Sequence, residues 1–208
     1  IQGNLLIGAI ERGDEVVIPN GSFVIEENDK VSIIASKKDA RQFFKRIGYD
    51  THQVKDTMII GGGKMTYYLA EALIKSGVRV KIVEQNREKC ENLSEILPKA
   101  TIINGDATNK EVLLEEGLNG CDSFVSLTGI DETNIFLSLF ARQYSQGKII
   151  TKIERISFDD IINTFNVGSL IYPDKIAADY IVSYVRAKQN SIGSSNVETL
   201  SKLVDGKV

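Results

Sequence analysis

The sequence predicts an α/β protein in which part of a small β-rich unit precedes a doubly wound parallel sheet of six strands. From Asp56 onward, short apolar runs alternate with helical segments of about ten residues, the pattern of a parallel sheet covered by helices. A glycine-rich turn joins the first of these strands to the first helix. Before Asp56, short strand-like runs are separated by turn dipeptides such as Asn-Gly. With 42% hydrophobic and 25% charged residues, the 208-residue chain can fill such a core.

The first 47 residues are predicted to form part of a small α+β domain. Its strand-like runs are Leu5–Ile10, Val16–Ile18, Phe23–Ile25 and Val31–Ala35. An amphipathic helix over residues 38–47 follows, with Phe43, Phe44 and Ile47 on its inner face. Residues 48–55 are polar and are predicted to link this domain to the next one.

Residues 56–190 are predicted to form the six-strand unit. The strands are predicted at 57–60, 78–83, 100–103, 123–128, 148–153 and 169–172. The helices are predicted at 64–76, 87–96, 109–116, 131–145, 157–165 and 174–189. Gly77 and Gly117 stand where helices should end, and Asp131 and Asp174 are predicted to cap helix starts. Residues 191–208 contain a polar stretch and one strand, and both ends of the sequence are abrupt, so we expect a fragment of a longer protein.

The turn Gly61-Gly62-Gly63 carries the site prediction. It follows a predicted strand and precedes a helix that starts at Lys64, so backbone N–H groups and the helix dipole can meet a phosphate. Gly61 permits the tight turn, and Gly63 lets the backbone approach a pyrophosphate. Thr66 replaces the third glycine of the G-x-G-x-x-G pattern and is predicted to push the helix slightly away from the strand. The pattern is Rossmann-like, and the alternative is a turn that merely joins strand to helix.

Glu84 ends the next predicted strand, 23 residues after Gly61. Dinucleotide-binding folds place an acidic residue about 20 residues after the first glycine, where it binds ribose hydroxyls. Because a carboxylate at that position repels the 2′-phosphate of NADP, the sequence favours NAD or another adenine nucleotide. Arg87, close behind, softens that discrimination.

Three further strand ends supply candidate binding residues at the carboxyl edge of the sheet, where open α/β sheets bind ligands. Asp106, followed by Ala107, is predicted to bind an adenine amino group, or alternatively to cap the next helix. Thr128 and Gly129 are predicted to line the nucleotide cleft, or to form an ordinary turn. Lys152 is predicted to place its charge by a phosphate, or to be an ordinary surface lysine.

Composition excludes several classes of partner and site. A net charge of −3 and a pI near 5.4 give no broad positive field, so nucleic acid is not an expected partner. No apolar run approaches the roughly 18 residues that a membrane span needs, so direct insertion is not expected. Two cysteines and one histidine, His52, suggest neither a disulfide framework nor a metal site. A cytoplasmic chain is the expectation.

Four motifs together resemble the nucleotide-binding module of the TrkA family, the cytosolic regulatory subunits of bacterial Trk potassium-uptake systems and part of the regulators of potassium conductance. The motifs are Met58-Ile59-Ile60-Gly61-Gly62-Gly63, Ile82-Val83-Glu84 with Asn86-Arg87-Glu88, Asn104-Gly105-Asp106-Ala107-Thr108, and Ser126-Leu127-Thr128-Gly129. The flanks resemble pieces of the family's C-terminal module. The resemblance therefore implies a partial C-terminal-type module at 1–47, a nucleotide-binding module at 56–190 and the start of a second C-terminal-type module at 191–208.

This resemblance implies a regulatory subunit that gates a potassium-uptake channel or transporter in response to NAD(H), or alternatively ATP or ADP. The implied cofactor-binding residues are Gly61, Gly62, Gly63, Lys64, Met65, Glu84, Asp106, Ala107, Thr128, Gly129 and Lys152. Members work as symmetric dimers and larger rings, peripheral to the inner face of the cell membrane through the channel subunit. In the family the helix that corresponds to residues 174–188 crosses to a partner subunit, and the alternative is that its apolar residues pack within their own chain. No enzymatic activity is implied, and the alternatives are an NAD-dependent oxidoreductase or an assembly-only domain that has lost its ligand.

Overall fold

The computed structural model describes residues 5–13, 15–49, 53–155, 165 and 167–191. The chain divides into two compact units, one comprising Ile1–Gln53 with Tyr180–Val208 and the other Val54–Asp179. The predicted helix 157–165, apart from its last residue, and the predicted segment 191–208, apart from its first, lie outside the described residues.

The N-terminal unit contains a small antiparallel sheet in the order β2-β1-β3, followed by a helix. Its elements are β1 (Leu5–Arg12), β2 (Glu15–Val17), β3 (Lys30–Ala35) and α1 (Lys37–Arg46). Helix α1 begins after Ser36, whose hydroxyl accepts the Asp39 N–H at 3.1 Å and caps the helix. Phe43 and Phe44 are half-buried. The predicted inward orientation of Ile47 is wrong, because the helix ends before it and its side chain is 53% exposed.

The predicted strand at Phe23–Ile25 is also wrong, since this segment is an irregular loop. Arg12, the last residue of β1, donates to the Val24 carbonyl at 2.9 Å. The same guanidinium donates to both carboxylate oxygens of Asp29, at 2.8 and 2.7 Å. The loop is therefore held by a side chain and not by a backbone ladder.

The second unit confirms the predicted doubly wound sheet of six strands, all of them parallel to their neighbours. Its strands are β4 (Asp56–Ile60), β5 (Arg79–Glu84), β6 (Thr101–Asn104), β7 (Ser123–Ser126), β8 (Lys148–Lys152) and β9 (Ser169–Ile171). Its helices are α2 (Lys64–Lys75), α3 (Arg87–Ile96), α4 (Lys110–Glu115) and α5 (Asp131–Tyr144), and α6 (Pro173–Ser191) starts in this unit. The strand order β6-β5-β4-β7-β8-β9 reverses at β4. In such sheets the crevice outside the carboxyl ends at the reversal binds ligands.

Helices cover both faces of this sheet. On one face Ile59 packs in a cluster with Ala70 of α2 and Leu93 of α3. On the other face the next residue, Ile60, packs in a cluster with Leu137 of α5. The strands are therefore apolar on both sides, as buried parallel strands are, and this is why short apolar runs located them in the sequence.

A row of buried hydroxyl groups crosses the second of these faces. The Ser138 hydroxyl of α5 lies 2.9 Å from that of Ser126 on β7 and 2.7 Å from that of Thr151 on β8. The Thr151 hydroxyl also lies 2.7 Å from the Val167 carbonyl. All three hydroxyl-bearing residues are 0% exposed. This polar row bonds β7, α5 and β8 to one another inside an apolar layer.

The helix ends follow local chemistry. Gly77 and Gly117 follow α2 and α4 with φ of 82° and 88°, a left-handed conformation that favours glycine. Helix α6 begins at Pro173, because the fixed φ of proline suits a first helical position, so Asp174 lies inside the first turn and is not the predicted cap. Within the described ranges, no helix has the length and apolarity that crossing a membrane requires.

Candidate functional site

The turn between β4 and α2 has two positions where a Cβ would be crowded. Gly61 has a φ of +99°, and a Cβ there would lie 3.0 Å from the Leu127 carbonyl oxygen. Its N–H donates to the Val83 carbonyl at 2.9 Å and fixes the turn against β5. At Gly62, a Cβ would lie 2.9 Å from the carboxylate of Glu84. The turn therefore packs directly against both neighbouring strand ends.

Gly63 is the N-cap of α2, and no side chain caps this helix. A Cβ at Gly63 would meet nothing within 4 Å. Lys64 and Met65, the first two helical residues, are exposed. Since the first N–H groups of a helix have no intrahelical partner, this helix start offers backbone donors and a positive dipole end to an anion.

Thr66 takes the place of the third glycine without leaving an unsatisfied group. It is 0% exposed, and its hydroxyl donates to the Gly61 carbonyl at 2.6 Å. The residue thus adds a hydrogen bond between α2 and the glycine turn. The displacement of α2 that the sequence suggests stays a prediction.

Glu84 lies at the carboxyl end of β5 and is only 7% exposed. One carboxylate oxygen accepts the Gly62 N–H at 2.6 Å, and the other accepts the Asn86 N–H at 2.7 Å. Each oxygen keeps further acceptor capacity after one such bond. The Cys90 thiol donates to the Glu84 carbonyl at 3.3 Å, and burial raises the pKa of this thiol, which makes it a packing group.

Asp106 follows β6 and is exposed. Its carboxylate accepts the N–H and the hydroxyl of Thr108, at 2.9 and 2.8 Å, and these bonds hold the pKa of Asp106 below its ordinary value. The cap of α4 is Asn109, whose side chain accepts the Glu111 N–H at 3.0 Å. The alternative in which Asp106 caps the helix is therefore wrong. Ala107 is half-buried beside it.

The ends of β7 and β8 are joined by Asn134, a residue of α5 that is 0% exposed. Its side-chain oxygen accepts the Thr128 N–H at 2.9 Å and the Thr128 hydroxyl at 2.7 Å. Its side-chain nitrogen donates to the carbonyls of Thr128 at 3.2 Å and Lys152 at 3.0 Å. No sequence motif singled out Asn134. The available signal was an asparagine at a helix position whose neighbours on the same face, Leu137 and Ala141, are apolar.

Asp131 serves the same region. It is the first residue of α5, after the N-cap Ile130, so its predicted capping role is wrong. Its carboxylate instead accepts the N–H groups of Glu154 at 3.0 Å and Arg155 at 2.9 Å, just after β8. The carboxylate therefore bonds the chain that leaves β8, and it is only 7% exposed.

Lys152 is 6% exposed, so the surface alternative for this lysine is wrong. Its ammonium lies 2.5 Å from a carboxylate oxygen of Glu154, whose side chain is 53% exposed. Gly129 is exposed, and a Cβ there would meet nothing within 4 Å. A buried cation thus lies at the end of β8, next to the strand that leads to Thr128 and Gly129.

Every predicted binding residue therefore follows, or lies at, the carboxyl end of a parallel strand. Glu84 is in register with Asn104 of β6, and Ile60, before the glycine turn, is in register with Val83. A depression of 640 Å³ adjoins the turn and is lined in part by Gly63 and Lys64. The arrangement offers backbone donors, a buried carboxylate and a buried ammonium along one edge of the sheet.

Two family models match parts of the chain. The family model described as the TrkA-N domain matches residues 57–173, more than half of the chain. The model described as the TrkA-C domain matches residues 2–48.

Curated relatives share this similarity. The Trk system potassium uptake protein TrkA of Halomonas elongata is 34% identical over 180 residues, which are 86% of this chain and 39% of that protein. The protein of the same name from Haemophilus influenzae is 28% identical over 180 residues, with the same coverage of 86% and 39%. The chain thus spans about two fifths of the length of these relatives.

Solved structures share the fold. The TrkA-N domain of the inner membrane protein ybaL from Escherichia coli matches with a TM-score of 0.57 at 15% identity, covering 65% of this chain and 99% of that one. The GsuK channel and the GsuK channel bound to NAD match with TM-scores of 0.63 and 0.62, each at 19% identity and covering 90% of this chain and 33% of that one. Because the TrkA-N model spans more than half of the sequence, the chain belongs to the TrkA-N domain family.

Proposed function

We propose that this chain is the nucleotide-binding part of a regulator of potassium uptake and that NAD(H) is its ligand. The observation that carries the proposal is the pairing of an uncapped glycine turn with the buried carboxylate of Glu84, which accepts the Gly62 N–H at 2.6 Å. Two comparisons support it. The curated relatives are named Trk system potassium uptake proteins, and one GsuK channel of the same fold is described as bound to NAD.

The described residues fit a dinucleotide by their chemistry. The open helix start at Gly63, Lys64 and Met65 would receive the pyrophosphate, because its backbone donors and dipole favour an anion. Glu84 would accept the ribose hydroxyls with its remaining lone pairs, and its charge would disfavour the 2′-phosphate of NADP. The alternative ligand is ATP or ADP, whose phosphates and ribose would bind to the same helix start and to Glu84.

The other predicted binding residues would contact the two ends of the dinucleotide. Asp106 and Ala107, beyond Glu84, would contact the adenine. Thr128, Gly129 and Lys152 would contact the half of the dinucleotide that lies past the strand-order reversal, where open α/β sheets bind the second half of such ligands. The buried ammonium of Lys152 would offset phosphate charge, a contribution that its pairing with Glu154 reduces.

Regulation follows if the ligand binds one arrangement of the protein better than another, since a ligand with equal affinity for both shifts nothing. In the proposed role, the chain forms symmetric dimers or larger rings at the cytoplasmic face of the membrane. The arrangement that the ligand favours then acts on a potassium channel or transporter subunit. The role is one of binding and not of catalysis. In the proposed organisation, residues 1–47 end one C-terminal-type module and residues 191–208 begin another.

Thermal unfolding with added nucleotides tests the proposal. We expect saturable stabilisation by NADH or NAD and a smaller effect of NADPH, because a ligand at 100 times its Kd stabilises the folded state by about 2.7 kcal/mol. Stabilisation by ATP or ADP alone would replace NAD(H) with the alternative ligand. No shift with any of them, in a folded chain shown to carry no bound nucleotide, would contradict the proposed function.

A further inference from the structure

The first turn of α5 contacts both strand ends on the far side of the proposed site. The Asn134 amide uses all of its hydrogen-bonding groups there: the oxygen accepts twice from Thr128, and the nitrogen donates to the carbonyls of Thr128 and Lys152. An amide has two donor hydrogens and two acceptor lone pairs, so none remains for a ligand. Asn134 therefore acts on Thr128 and Lys152 and not on a bound molecule.

Asp131, one turn earlier on the same face of α5, bonds the next part of the same segment. Its carboxylate accepts the N–H groups of Glu154 and Arg155, at 3.0 and 2.9 Å. Asn134 thus holds the carbonyl of Lys152 itself. Asp131 holds the backbone just after it, at Glu154 and Arg155. Both side chains are nearly fully buried, at 0% and 7% exposure, which protects these bonds from competition with water.

We infer that Asp131 and Asn134 form a positioning pair, here called the α5 clamp, that fixes Thr128 and Lys152 for the half of a dinucleotide that extends past Glu84. The inference rests on the proposed function. The two halves of a dinucleotide bind on opposite sides of the strand-order reversal. Glu84 lies on the β5 side of that reversal, whereas Thr128 and Lys152 lie on the β7 and β8 side.

This division predicts a selective effect. AMP carries only the groups that Glu84, the glycine turn, Asp106 and Ala107 would bind, so its affinity should not depend on the α5 clamp. NADH would extend to Thr128 and Lys152, and its affinity should fall when their positions are no longer fixed. The α5 clamp would therefore set the preference of the site for a dinucleotide over a mononucleotide.

The test compares Asn134→Ala with a matched control, Ser138→Ala. Ser138 lies one turn later on the same face of α5, is also 0% exposed, and also bonds β7 and β8, through Ser126 and Thr151. Its hydrogen bonds go to these two residues and not to Thr128 or Lys152. By calorimetric titration of the 208-residue chain, we expect Asn134→Ala to raise the Kd for NADH about tenfold, and to change the Kd for AMP less than about twofold. Ser138→Ala should change both values less than about twofold.

Amide hydrogen exchange gives a readout that needs no ligand. The Thr128 N–H donates to Asn134, so its exchange should become faster in Asn134→Ala and stay unchanged in Ser138→Ala. The preceding Leu127 N–H donates to the Ile60 carbonyl at 2.9 Å and should be unaffected in both variants. If the alanine variant does not fold, Asn134→Asp keeps the acceptor for Thr128 and removes the donor to Lys152.

The outcomes separate the two ideas. Selective weakening of NADH, with faster exchange at Thr128, supports the α5 clamp. Equal weakening of NADH and AMP, or NADH affinity like that of Ser138→Ala, would overturn it while leaving the proposed function standing. A wild-type chain that binds neither NADH nor AMP would refute the proposed function itself, and with it the inference.

Discussion

The two halves of the sheet's carboxyl edge are held in place in different ways. On the β5 side, the groups proposed to bind the ligand hold one another, since the Gly62 N–H donates to the carboxylate of Glu84. On the β7 and β8 side, Thr128 and Lys152 are held from behind by Asn134, which has no group left for a ligand. Substitution of Glu84, which both bonds the turn and would contact the ligand, should therefore change stability and affinity together, whereas Asn134 can change affinity only through the positions of Thr128 and Lys152.

The largest effect should come from the glycine turn. Gly61→Ala should lower the free energy of unfolding by about 3 kcal/mol, because alanine at a φ of +99° is strained and its Cβ would crowd the Leu127 backbone. Gly63→Ala, where a Cβ meets nothing within 4 Å, should cost less than about 1 kcal/mol. Denaturant unfolding measures both. Equal stability of the two variants would show that the close contact at Gly61 is not required.

Glu84→Ala should combine two losses. It removes the acceptor for the Gly62 and Asn86 N–H groups, and it removes the proposed ribose contact, so NADH binding should weaken by about 2 kcal/mol. Titration and thermal unfolding on the same samples should both report the change. Glu95→Ala, an exposed carboxylate on α3, is the control and should alter neither. Unchanged NADH affinity in Glu84→Ala would remove this residue from the site.

Thr66→Val separates stability from affinity on the β5 side. It keeps the shape of the side chain and removes the hydroxyl that donates to the Gly61 carbonyl at 2.6 Å, so unfolding should become easier by about 1 kcal/mol. The Thr66 side chain is fully buried and would not contact a ligand, so the NADH affinity should stay within about twofold. A large loss of affinity would mean that this bond sets the shape of the phosphate-binding turn.

The smallest effect concerns the N-terminal sheet, where a charged pair and not a backbone ladder holds the loop after β2. The bonds from Arg12 lower the pKa of Asp29 to about 2. A lowered carboxylate pKa contributes stability at higher pH, and that contribution should be lost as the pH falls from about 4 to about 2. Carboxyl NMR titration should show the Asp29 pKa rising toward its ordinary value in Arg12→Met. Arg41→Met, an exposed arginine on α1, should leave it unchanged.

What the sequence predicted depended on how local each signal was. The six strands and the glycine turn were predictable because their signals are local in the sequence. Apolar runs indicate the strands, and the glycines with Glu84 at a fixed spacing indicate the turn. The loop at Phe23–Ile25 was not, because the side chain that holds it, Arg12, comes from a distant residue. The role of Asn134 was hidden for the same reason, since its partner Lys152 lies 18 residues later, at the end of β8.

The row of buried hydroxyls at Ser126, Ser138 and Thr151 has a consequence for sequence variation. Each hydroxyl carries one hydrogen, so all the bonds of the row must run in the same direction, and each member depends on the next. Removing one member leaves a neighbour without its partner, and replacing Thr151 as well leaves the buried Val167 carbonyl without its donor. Ser126 and Ser138 should therefore be exchanged together, both polar or both apolar, whereas Thr151 should keep its hydroxyl for the Val167 carbonyl.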